Sequence, residues 1–230
     1  MTPDEILSYP ARVLTQEQRE AYFDKGFVNV DEIVPVDIVK SLQDTTQDFV
    51  EQSKSVSQSD DRFDIGPDHC AENPVLRRLK SPDTASEEYW NFSTGLMADV
   101  AADLVGPNVV FHHSKLNFKW FDASDTVKWH QDIQFFPHTN YNVLTIGCYL
   151  ADTTMENGPL AAVVLDLLVV VEREDLGAVM GAHPLVAGVL VDVVAQMGDE
   201  VEPVLGGEVP IRREVAVLPV LARREGEVQP

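Results

Sequence analysis

The chain has 230 residues, 44% of them hydrophobic and 24% charged, which is the make-up of a globular domain with a full core and excludes wholesale disorder. Its 38 acidic against 17 basic side chains leave a net charge of −21, which opposes any broad electrostatic grip on nucleic acid or on an anionic membrane. Two cysteines, Cys70 and Cys148, are too few for a disulfide framework, the opening MTPDEILSYPARVL lacks the basic-then-apolar order of a secretory leader, and the longest apolar run, Leu160 to Val171, is too short to span a bilayer. A cytoplasmic protein without membrane insertion is expected.

Taken in chain order, Thr15 and Gln18 have the spacing of a capping box, which predicts a helix over 16–25 that stops at Gly26. The run Phe27-Val28-Asn29-Val30 then reads as a short strand. A second helix is predicted from Val36 to about Gln52, where Val36, Val39, Leu42 and Phe49 recur at roughly helical spacing. Ser53 to Asp68 is polar and reads as a loop, and Glu87 to Val105 suits a third helix ended by Gly106-Pro107.

After that breaker pair the period changes from helical to alternating. In VVFHHSKLNFKWF, from Val109 to Phe121, a strand points His113, Lys115, Asn117 and Lys119 one way and Ser114, Leu116, Phe118 and Trp120 the other. Such a polar face either meets solvent or lines an interior that takes an anionic ligand. His112 and His113 are adjacent, so alternation sends them to opposite faces. Asp122 to Asp125 suits a turn, a second strand follows from Thr126, and Asn142 to Leu150 supplies a third. Helices first and consecutive strands later predict an α+β chain, mainly β, built on an antiparallel sandwich or barrel.

Within the second strand, Trp129-His130-Gln131-Asp132 places His130 and Asp132 on one face, imidazole beside carboxylate. The pair suits a divalent metal, and with one further histidine it makes the facial triad of non-haem Fe(II) oxygenases. A strand-face histidine hydrogen-bonded to its neighbour accounts for the same spacing, and both readings stand on these residues alone. Of the cysteines, Cys148 falls in a strand and reads as a small buried hydrophobe, while Cys70, beside His69, falls in a loop.

The longer run HHSKLNFKWFDASDTVKWHQDIQFFPHTNYNVLTIGCYLADTTMENGPL, together with the opening LTQEQREAYFDKGFVNVDEIV, resembles the phytanoyl-CoA dioxygenase family of Fe(II)- and 2-oxoglutarate-dependent oxygenases. The resemblance covers roughly residues 13–160 and rests on separately placed features: the helix followed by GFVNV, the K-x-N strand, WHQD, and the D-T-T-x-E-N-G-P turn. It implies a double-stranded β-helix, a cupin-like jelly roll with N-terminal helices, and an enzyme that couples O₂ and 2-oxoglutarate to hydroxylation of a small organic or lipid-like substrate. It makes His130 and Asp132 iron ligands. It also assigns Lys115 and Asn117 to 2-oxoglutarate, whose dicarboxylate suits an ammonium and an amide donor.

The family pattern breaks after Pro159. From Leu160 to Pro230 there are 71 residues without a single Ser, Thr, Asn, Lys, Cys, Phe, Tyr or Trp, while Val alone supplies 18. The family's third iron ligand is a histidine followed about ten residues on by an arginine that clamps 2-oxoglutarate. The one histidine of this tail is His183, and the next arginine is Arg212. The expected organisation is therefore residues 1–159 as N-terminal helices and the first half of an oxygenase barrel, incomplete at the C-terminus, and 160–230 as an aberrant Val/Leu/Ala/Glu/Arg-rich tail from a shifted reading frame. His183 is the candidate third ligand. A degenerate, inactive family member and a non-catalytic barrel that binds a small ligand are the alternatives.

Overall fold

In the computed structural model, which describes residues 1–119, 143–151, 160–165, 168–173, 188–197 and 215–219, Thr2 and Thr15 each cap a helix through a reciprocal box. The Thr2 hydroxyl accepts from the Glu5 amide and heads the short helix α1 (Pro3–Leu7). The Thr15 hydroxyl accepts from the Gln18 amide, the Gln18 side chain accepts from the Thr15 amide, and α2 (Gln16–Lys25) follows as its spacing predicts. Gly26 ends α2 at φ 81°, a left-handed conformation that glycine adopts without a Cβ penalty. Strand β1 (Val28–Val30) comes next, then α3 (Val36–Ser53), which buries Val39, Leu42, Thr46, Phe49 and Val50 along one stripe.

Three details depart from the sequence expectation. The stretch read as a loop contains β2 (Phe63–Ile65), which pairs with β3 (Leu76–Lys80). A short helix, α4 (Pro82–Ala85), precedes the expected third helix. That third helix is two, α5 (Glu87–Thr94) and α6 (Leu96–Val105), broken at Gly95. The reason is steric: a Cβ at residue 95 would lie 2.6 Å from the Asn91 carbonyl oxygen, so only glycine lets the chain turn there.

Strands β4 (Val109–Lys119) and β5 (Val143–Tyr149) match the predicted first and third strands. The predicted second strand lies outside the described residues. β6 (Leu160–Leu165) and β7 (Leu168–Arg173) form a two-stranded antiparallel sheet. β8 (Gly188–Met197) and β9 (Val215–Pro219) enter the larger sheet, whose order is β1-β9-β5-β8-β4-β3-β2 with every pairing antiparallel. β8 therefore separates β4 from β5, which run parallel to each other on either side of it.

One face of this sheet packs on the helices: Leu116 and Phe118 of β4 and Leu144, Ile146 and Cys148 of β5 join Leu42, Phe49, Tyr89, Met97, Val100 and Leu104 in a single core. The opposite face is also withdrawn from water. Val143 and Thr145 of β5 are buried, and Asn117 and Lys119 of β4 are each only 8% exposed. At these positions of β4 and β5 both faces are covered, as in a layer of a sandwich or barrel, whereas Arg78 and Lys80 of β3 are exposed at the margin.

Candidate functional site

The polar face of β4 is where chemistry-bearing side chains collect. Alternation along the strand places Leu116 and Phe118 in the helix-side core and Lys115 and Asn117 on the other face. β3 supplies the neighbours on one side, with Arg78 opposite Asn117, Leu79 opposite Leu116 and Lys80 opposite Lys115. β8 runs along the other side, its Asp192 opposite Lys115 and its Leu190 opposite Asn117. In a chain of net charge −21, three cationic side chains thus fall on one small area of sheet.

Like charges directly opposite one another repel. The structure relieves this for Lys80, whose ammonium donates to the Asp60 carbonyl oxygen at 2.8 Å. Asp60 is itself held in a turn: its Oδ1 accepts from the Phe63 amide at 2.6 Å and the Arg62 amide at 2.8 Å. The Phe63 amide first, and then that of Arg62, hold the Asp60 carboxyl below its usual range. Lys115 is half-buried, so its charge acts across a less screened path than an exposed lysine would.

Arg78 donates from Nε to the Asn117 Oδ1 at 3.1 Å. Arginine has donors and no acceptor, so this contact decides which end of the amide faces it: the oxygen lies toward Arg78, and Nδ2 is turned from it as a donor. An ammonium, an amide donor and a guanidinium on one face suit an anionic, carboxylate-bearing ligand, because charge-assisted hydrogen bonds are strongest where water is excluded. Sequence analysis singled out Lys115 and Asn117 as candidates but not Arg78. The signal was weak: Leu-Arg-Arg-Leu-Lys does not alternate, since the pairing with β2 shifts register between Asp64 and Ile65.

Two other expectations change. His112 and His113 do not part to opposite faces. The register with β8 steps from Phe111 to His113, and the bulge brings the two imidazoles together, Nδ1 to Nδ1 at 2.7 Å. His69 carries structure rather than chemistry: its Nδ1 accepts from the Val75 amide at 2.9 Å, so Nε2 carries the proton that it donates to the Ser53 carbonyl at 2.9 Å. Cys148 is buried, as expected, and Cys70 is exposed. Among the described residues no three His, Cys, Asp or Glu side chains cluster as a metal site. His130, Asp132 and His183 lie outside the described residues.

Chain direction relates those three positions to β4. β4 ends at Lys119, whose register partner is Gly188, the first residue of β8. β4 therefore ends where β8 begins, and in the sequence Gly188 stands five residues after His183. Ten residues after His183 stands Val193, opposite Ser114 and Ile146, and β8 contains no arginine.

Against known proteins, the family model described as Phytanoyl-CoA dioxygenase (PhyH) matches residues 22–164. A probable alpha-ketoglutarate-dependent hypophosphite dioxygenase of Stutzerimonas stutzeri is 27% identical over 150 residues, 63% of this chain and 51% of that protein. The ectoine dioxygenase of Sphingopyxis alaskensis is 25% identical over 162 residues, 65% of this chain and 49% of that protein. The chain thus spans about half the length of the curated relatives it matches. Among solved structures, EctD from S. alaskensis with 2-oxoglutarate and 5-hydroxyectoine aligns at TM-score 0.58 and 18% identity, covering 93% of this chain and 79% of that one. AviO1 from Streptomyces viridochromogenes Tue57 aligns at TM-score 0.55 and 20% identity, covering 90% and 95%. At these identities the structural likeness speaks for the fold.

Proposed function

Because the chain belongs to the phytanoyl-CoA dioxygenase family, we propose that it is an Fe(II)- and 2-oxoglutarate-dependent dioxygenase that hydroxylates a small organic or lipid-like substrate. The observation that carries this reading is the polar face of β4, where the Lys115 ammonium, the Asn117 amide and the Arg78 guanidinium share one area of sheet and suit a dicarboxylate. The fold we propose is the double-stranded β-helix. Its supports are the antiparallel order β4-β8-β5-β9, the burial of both faces at Asn117 and Lys119 of β4 and along β5, and the likeness to EctD. No described helix is long and apolar enough to cross a membrane, and we place the protein in the cytoplasm with a small-molecule substrate and O₂ as its partners and no nucleic acid.

In this reading His130 and Asp132 are two iron ligands and His183 is the third. Their support is the shared face of an H-x-D pair, and the entry of β8 beside the end of β4. When bound, iron and 2-oxoglutarate supply an oxidant by coupling O₂ reduction to decarboxylation of the cosubstrate to succinate. The chain's own residues bind and exclude: Lys115 neutralises one carboxylate, Asn117 donates to it, and the apolar neighbours Leu116 and Phe118 fix the strand from behind. Iron-dependent formation of succinate from 2-oxoglutarate tests the proposal, and none being formed by metal-loaded protein overturns it.

A second reading has its own observation. Val193 stands ten residues after His183, where the family pattern has an arginine, and the amino-acid alphabet changes at Leu160. A planar guanidinium clamp has no ready substitute among other side chains. A chain whose residues 160–230 derive from a shifted frame binds cosubstrate weakly and turns over little or nothing.

A further inference from the structure

We propose that Arg78 is a positioning residue for Asn117: it sets the sense of the Asn117 amide, and so makes this face selective for a ligand that accepts hydrogen bonds. The inference rests on the reading above, in which Asn117 contacts 2-oxoglutarate. An asparagine side chain presents an acceptor on one end and a donor on the other, and a half-turn about the terminal bond exchanges them. An unfixed amide greets an anionic carboxylate with its oxygen as readily as with its nitrogen, and the wrong sense repels. The Arg78 Nε–H at 3.1 Å from Oδ1 removes that ambiguity, since a guanidinium cannot accept from Nδ2.

The contact spans two strands and 39 residues of sequence, so it exists only in the folded sheet. Register holds it: Arg78 is directly opposite Asn117, and the flanking pairs Leu79–Leu116 and Lys80–Lys115 fix both backbones. Burial sharpens the division of labour. Asn117 is 8% exposed, whereas Arg78 is exposed, so the arginine orients from the rim a side chain that sits deeper than itself. A lysine at 78 keeps the charge but not the planar, fixed Nε donor, so charge and orientation are separable by mutation.

The test measures the dissociation constant of 2-oxoglutarate by calorimetry, anaerobically, with Mn(II) in place of iron, for the full chain and for R78A, R78K, N117A and R78A/N117A. R78A and R78K are each expected to weaken binding about five- to tenfold, the effect of one oriented hydrogen bond. In the N117A background R78A is expected to change the constant by less than about twofold, because the residue through which it acts is gone. Full retention of affinity in R78A overturns the proposal, as does an undiminished effect of R78A in N117A, which marks long-range charge instead. A second readout needs no ligand: the two side-chain amide protons of Asn117 are expected to shift and exchange faster in R78A, and unchanged amide resonances overturn the proposal. Wild-type protein that binds no 2-oxoglutarate, with the Asn117 amide still responding to R78A, leaves the positioning role standing and overturns the cosubstrate reading.

Discussion

Arg19 and Asp103 are both fully buried and adjacent, yet each directs its charge at main chain rather than at the other's side chain. The Arg19 guanidinium donates to the carbonyls of Asp103 (3.0 Å), Ile6 (2.6 Å) and Tyr9 (3.1 Å). The Asp103 carboxylate accepts from the amides of Arg12, Val13 and Leu14 at 2.8–2.9 Å. Between them these two side chains satisfy six backbone groups and fasten the N-terminal segment to α6, the helix that packs behind β4 and β5.

Removing the acceptor strands three amides. Asp103→Ala is expected to destabilise the fold by about 3 kcal/mol, the cost of leaving buried charge-assisted partners unmet, and Asp103→Asn by less because one amide oxygen still accepts. Urea unfolding of the two variants checks this, with amide exchange at residues 12–14 as the local readout. Equal stability of D103A and wild type sinks the account.

The proposed cosubstrate contact makes Lys115 the residue whose loss is felt most among the described ones. Lys115→Met is expected to raise the KM for 2-oxoglutarate about ten- to hundredfold, the range of one charge-assisted hydrogen bond. A lowered kcat at unchanged KM would assign Lys115 to another step.

For the metal, His130→Ala, Asp132→Ala and His183→Ala are each expected to bring iron-dependent succinate formation to background, since each removes one of three proposed ligands. Metal content of the purified variants is the independent measurement. H183A with wild-type iron and turnover would remove His183 from the set while leaving His130 and Asp132 in it.

Asp60 gives a pH signature. Its carboxyl is held below the usual range by the Phe63 and Arg62 amides, so the turn's stabilisation is complete above the ordinary carboxylate pKa of about 4 and fades as pH falls through the lower folded-state value. Amide exchange at Phe63 is therefore expected to accelerate only in strong acid, and Asp60→Asn to abolish that step. A transition in Phe63 exchange near neutral pH would contradict it.

The tail admits a direct check at the nucleic-acid level. On the second, shifted-frame reading, translating the other two frames downstream of the codons for Asn157 to Val164 is expected to yield a Pro-Gly-Ser-His element, then a histidine followed about ten residues on by an arginine, and His183 then drops out of the ligand set. If neither frame encodes them, residues 160–230 are native sequence and the shifted-frame reading falls.

Local rules made part of this legible. Thr15 and Gln18 announced α2 because a capping box is a four-residue event, and β4 was readable because Leu116 and Phe118 alternate with Lys115 and Asn117. β3 was not, because its bulge leaves Leu76 and Leu79 buried with two arginines between them, a spacing of three that breaks the alternation of a strand and fits a helix instead. The break at Gly95 was hidden by an unbroken helical pattern on both sides. Arg78 enters the proposed site only through a contact whose partner lies 39 positions away, and no local pattern encodes that distance.

The order β4-β8-β5 carries a consequence for synthesis. When β5 leaves the ribosome, β4 is already present, but the two are parallel and separated by the place of a strand that ends 48 residues later, at Met197. Neither has its β8 partner until then, so their inner edges wait exposed, each offering unpaired main-chain groups to any other nascent chain. The sheet behind the candidate site closes late, β8 first joining β4 to β5 and β9 then pairing with β5 and β1, and nascent chains halted anywhere between Tyr149 and Gly188 hold both inner edges open.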